Sequence, residues 1–85
     1  MPDPIDVGVG ARIRIRRREL DLSQSALGQH LGLTFQQVQK YERGANRVSA
    51  SRLWRMAIVL DVPITYVTYD AAGKITPAPR GAAAR

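Results

Sequence analysis

The chain of 85 residues reads as all-α, a compact bundle of about five short helices. Three observations carry that reading. Apolar residues recur at three- and four-residue spacing in successive short segments: Val9, Ile13 and Leu20, then Ala26, Leu27 and Leu31, then Leu53, Met56, Ala57 and Leu60. Helix-starting residues stand ahead of helical segments at Asp6, Ser23, Thr34 and Ser49. Gly32 and the pair Val62-Pro63 supply stops, glycine by tolerating positive φ and proline by disfavouring helix in the residue before it.

Residues 1–5 read as a flexible arm, residues 6–69 as one folded domain and residues 70–85 as a flexible tail. From Thr76 onward the composition is Pro, Ala, Gly and Arg, which buries too little to order itself. The first helix is expected from an Asp6 cap to about Leu20, with Val9, Ile13 and Leu20 in the core and Arg17 on or near their stripe. Gly8 and Gly10 weaken its first turn, and Ile15 falls off the stripe.

Ser23 caps the second helix, which should stop at about Leu31 because Gly32 suits a sharp turn. A new start follows at once. Thr34 and Gln37 form a T-x-x-Q capping box, and Leu33 with Val38 has the spacing of a hydrophobic staple, so the third helix begins at Thr34 or Phe35. The turn between the two is too short for anything but a helix-turn-helix, a unit suited to presenting its second helix to a DNA major groove.

The third helix places Gln36, Gln39, Lys40 and Arg43 along one side and turns Val38 and Tyr41 towards a core. Residues 43–47 form a turn by composition, and Ser49 caps a fourth helix. The run from Ile64 to Tyr69 has two readings. It forms a short fifth helix over about Ile64 to Val67, or its β-branched and aromatic residues pair through AAGK with Ile75-Thr76 as a hairpin.

Thirteen Lys and Arg against seven Asp and Glu give a formal charge of +6, which points to a polyanionic partner. Arg12, Arg14, Arg16, Arg17 and Arg18 lie in one run. The absence of cysteine excludes disulfides and thiolate metal sites and fits a reducing interior. No segment reaches the ~20 apolar residues of a membrane span, and the start MPDPIDVG has no signal-like pattern. The expected place is therefore the cytoplasm, on the nucleoid when bound to DNA. Catalysis has no foothold: His30 is the one histidine, without a carboxylate spaced to orient it, and no metal-ligand or nucleotide motif occurs. No enzyme activity, cofactor or metal is expected.

Glutamine donates and accepts in the plane of adenine, and lysine donates to guanine O6 and N7. Gln36, Gln39 and Lys40 are therefore the candidate base-reading residues, joined by Phe35, whose ring either meets a thymine methyl group or folds back on Leu31. Gln37 ranks lower because the capping box occupies it. Arg43, Asn46 and Arg47 lie in the following turn, where phosphates should be. Trp54 and Ile58 sit four apart on the side of helix four away from Leu53 and Ala57. They cover the fifth segment at Tyr66, or they form a subunit interface to which Tyr66 and Tyr69 also contribute.

The residues Arg17, Leu22-Ser23-Gln24, Leu27, Leu31-Gly32, Val38, Tyr41-Glu42-Arg43-Gly44, Leu53, Ala57 and Leu60 resemble the phage-repressor-like (XRE-type) helix-turn-helix regulators, over roughly residues 5 to 67. The chain departs from them at Gly28, where alanine is commonest, and at Val48, where proline is common. The resemblance implies a lambda-repressor-like fold and a repressor that binds a near-palindromic double-stranded DNA operator as a homodimer. It also implies that Gln24 reaches a phosphate and braces a base-reading residue, and that Arg17 pairs with Glu42; Thr34 and Gln37, at the start of the third helix, are expected among the residues that support the interface. The alternative is an antitoxin-like protein that autoregulates through the same domain and binds a protein partner with its tail.

Overall fold

Residues 3–68 are described in the computed structural model of the chain. They form five helices, α1 (Pro4–Glu19), α2 (Gln24–Leu31), α3 (Phe35–Glu42), α4 (Ala50–Val59) and α5 (Ile64–Thr68), and among the described residues there is no strand. The fifth segment is thus helical, while Tyr69 and the proposed hairpin return lie outside the described residues. None of these helices is long and apolar enough to cross a membrane.

α1 starts earlier than the sequence led one to expect. Its N-cap is Asp3, whose side chain accepts from the Ile5 N–H at 2.7 Å, with Pro4 in the first turn. Proline suits that position because its missing N–H has no intrahelical partner to lose. Asp6 instead lies inside the first turn, where a carboxylate favours the positive end of the helix dipole. Residues 3–5, expected within a loose arm, thus form the cap and the first turn of α1.

The other caps fall where the residues place them. Ser23 accepts from the Ala26 N–H at 2.9 Å, Ser49 from the Arg52 N–H at 3.2 Å, and Thr34 from the Gln37 N–H at 3.2 Å. The box closes as the Gln37 side chain accepts from the Thr34 N–H at 2.9 Å. Four helices end in a left-handed residue, Asp21, Gly32, Gly44 and Asp61. In each case the N–H of the next residue bonds back to a carbonyl five positions earlier, as Leu33 does to Gly28 at 2.8 Å.

The core comprises Val9, Ile13, Leu27, Val38, Tyr41, Met56, Leu60 and Val67, with Leu31, Leu33, Leu53 and Tyr66 packed on its edge. α3 lies against both α2 and α1, and α5 closes against α1 and α4. Leu20 was expected inside and is 36% exposed, because it is the C-cap at which α1 turns away from the core.

Two glycines set how closely the helices approach. A Cβ on Gly10 would lie 2.2 Å from the Tyr41 carbonyl oxygen and 2.8 Å from that of Glu42, so α1 and the end of α3 meet backbone to backbone. Gly10 thus serves the contact that orients α3, beyond the weakened first turn read from sequence. At Gly28 a Cβ would stand 2.5 Å from the Leu33 carbonyl oxygen, which explains the departure from alanine in this chain.

Candidate nucleic-acid interface

The α2–turn–α3 unit is held by an ionic network that spans three helices. Arg17 of α1 is buried and forms a two-pronged contact with Glu42, at 2.5 Å from Nε and 2.9 Å from Nη2. Its Nη1 donates to the Leu22 carbonyl at 2.7 Å. The Gln24 amide donates to Glu42 Oε1 at 3.1 Å. The start of α2 and the end of α3 are therefore tied to one arginine, and the buried carboxylate has every oxygen answered. The pairing implied by the resemblance is present, and Gln24 takes part in it.

With its buried side anchored by Val38, Tyr41 and Glu42, α3 turns its remaining side chains outward. Gln36 and Lys40 are exposed, and Gln39 is half-buried. Phe35 is 47% exposed at the first turn. Gln37 is exposed but engaged with Thr34, as its place in the capping box requires. Arg43 and Asn46 are exposed in the turn that follows. Arg47 is also exposed, its Nε 3.6 Å from Asp6 Oδ2 across to α1. At 78% side-chain exposure that contact leaves the guanidinium open to exchange partners.

A groove of about 490 Å³ runs beside α3, between it, α1 and the start of α2. Arg14, Arg18, Arg43, Gln24 and Gln39 line it, over the buried Arg17 and Glu42. The other arginines near it have structural tasks. Arg16 Nε donates to the Leu60 carbonyl at 2.9 Å, Arg12 lies 5.6 Å above the Tyr66 ring, and Arg52 Nη1 donates to the Tyr41 hydroxyl at 3.0 Å. Which members of the arginine run were structural could not be read from the run itself, since Glu42, Leu60 and Tyr66, which engage Arg17, Arg16 and Arg12, are 25 to 54 positions away.

On the far side, Trp54 and Ile58 are 60% and 66% exposed. Tyr66 is half-buried against the core beneath Arg12. Tyr69 lies outside the described residues.

A profile of helix-turn-helix domains (HTH_3) matches residues 13–67. The chain belongs to this helix-turn-helix family. A relative from Sinorhizobium medicae, named as an uncharacterized HTH-type transcriptional regulator, is 56% identical over 72 residues, covering 85% of this chain and 52% of the relative. The chain therefore spans about half the length of that curated relative. The restriction-modification controller protein C.AhdI of Aeromonas hydrophila superposes with a TM-score of 0.68 at 33% identity, over 72% of this chain and 92% of the controller. The phage P22 c2 repressor, solved in complex with a synthetic operator, gives 0.65 at 29% identity, over 69% of this chain and 89% of the repressor. The helix-turn-helix family and the repressor-like fold are thus those that the spaced residues implied.

Proposed function

We propose that the protein is a sequence-specific, double-stranded-DNA-binding transcriptional regulator that represses by occupying a near-palindromic operator as a homodimer, with α3 in the major groove. One observation carries this reading: α3 is anchored on its inner side by Val38, Tyr41 and the Arg17–Glu42 pair while Phe35, Gln36 and Lys40 stand exposed on its outer side. Such a helix is rigid where it packs and carries base-reading chemistry where it is open. The regulator names of the relatives, and a P22 repressor solved on its operator, support the same function and a protein without enzyme activity.

In this reading Gln36 and Lys40 contact base edges, with Phe35 and Gln39 beside them. Arg43, Asn46 and Arg47 meet the phosphates, and Thr34 and Gln24 support the interface. Gln37 belongs with the supporting residues because its carbonyl oxygen is committed to Thr34. Two copies join through Trp54 and Ile58, an exposed tryptophan being a suitable anchor for a subunit contact. The regulator works in the cytoplasm and needs no cofactor.

The experiment is selection of duplex DNA from a random library by the full chain, followed by hydroxyl-radical footprinting and sedimentation on the selected sequence. Two symmetric protections with centres about 34–36 Å apart, and a complex of two chains per duplex, are expected. A single protected half-site bound by one chain with undiminished affinity would overturn the homodimer.

A further inference from the structure

The arginines of α1 differ in what already holds them. Arg17 is buried against Glu42, Arg16 holds the Leu60 carbonyl and Arg12 lies over Tyr66. Arg14 and Arg18 have no hydrogen-bond, ionic or ring partner among the described residues. They are exposed, one helical turn apart, and they line the same groove as Arg43 at the end of α3. Like charges at that spacing destabilise a helix. The carboxylate in the groove, Glu42, is already answered by Arg17 and Gln24. Three positive charges therefore face one groove without compensation from it.

We infer that Arg14 and Arg18 of α1, together with Arg43, form a phosphate-binding groove that holds a DNA backbone strand beside α3, so that the DNA-contacting surface extends to the first helix. This rests on the reading of the protein as a binder of duplex DNA. Guanidinium groups suit the role because their planar forks donate in parallel to two phosphate oxygens. The Gln39 side chain, half-buried on the same groove, adds a neutral donor between the charges and the base-reading face. Because Arg17 holds α1 against α3, the helix positions that carry the two arginines are set relative to the recognition helix.

The test uses the full chain and a duplex selected from a random library, beside a scrambled duplex of equal length. Affinities of the wild type, Arg14→Gln, Arg18→Gln and the double variant are measured from about 50 to 200 mM salt. Each single variant should reduce the slope of log affinity against log salt by about 0.9, and the double variant by about twice that. The reduction should be equal on both duplexes, with the preference for the selected one intact, since phosphate contacts carry no sequence information. Arg18→Lys should retain the wild-type slope. Thermal melts should stay at or above that of the wild type, because a like-charge pair is removed. Wild-type slopes in the double variant would overturn the inference while leaving the DNA reading in place. A loss confined to the selected duplex would also overturn it, by making these residues base readers. A wild type that binds neither duplex would overturn the underlying reading itself.

Discussion

Replacing Gly10 by alanine sets two effects of opposite sign against each other. At a solvated helix position the change stabilises by about 0.8–1 kcal/mol through backbone entropy. At Gly10 the new methyl would sit 2.2 Å from the Tyr41 carbonyl oxygen and 2.9 Å from the Glu42 carbonyl carbon. Non-bonded atoms settle at about 3.5 Å, so the end of α3 must withdraw by roughly 1 Å. The obstructing atoms are main chain, which no rotamer change can move aside. Overpacking of this kind costs about 1–3 kcal/mol, and the upper end applies because the same movement strains the Arg17–Glu42 contact. The net expectation is a loss of about 2 kcal/mol, which for a domain this small lowers Tm by roughly 8–16 °C. Urea titration and thermal melting followed by far-ultraviolet circular dichroism measure it. A Gly10→Ala protein as stable as the parent, or more so, would refute the backbone-to-backbone contact of α1 with α3.

Arg17→Ala should destabilise the fold by about 3–5 kcal/mol, because it strands the buried Glu42 carboxylate with Gln24 as its remaining partner; a denaturation midpoint matching the parent would contradict this. Thr34→Ala should cost about 1 kcal/mol in urea titration by removing the cap of α3, and no change would mean that water replaces the hydroxyl without loss. Asp21→Gly should raise stability by roughly 1 kcal/mol, since φ is +56° there; a decrease would show that its carboxylate contributes more than the strain relieved. Arg47→Ala should weaken binding to all duplexes alike and flatten the salt slope by about one unit, with an unchanged slope assigning Arg47 to solvent and Asp6 alone.

What the sequence made legible was local. The capping box of Thr34 and Gln37, the Leu33–Val38 staple and the stop at Gly32 each depend on residues within five positions, so α2, the turn and α3 could be read directly. The start of α1 carried an equally local signal, Asp3 before Pro4, which the presence of a second aspartate at Asp6 obscured. Long-range matters were not legible. Gly10 looks like a weak helix residue until α3 is placed against it, and Leu20 fits the apolar stripe until the chain turns at it. The division of the arginine run into structural and open members depends on Leu60, Glu42 and Tyr66, none of them near in sequence. Resemblance supplied the Arg17–Glu42 pair, which spacing alone does not reveal.

The central claim is that the outer face of α3 reads sequence. It is tested most directly by comparing Gln36→Ala/Lys40→Ala with the wild type on the selected and the scrambled duplex at one salt concentration. Specific recognition should give the wild type a preference of about 10³-fold or more for the selected duplex, and the two substitutions should remove about 1–3 kcal/mol each from that complex with little change on the scrambled one. Equal losses on both duplexes, or a wild type that binds both equally, would contradict it.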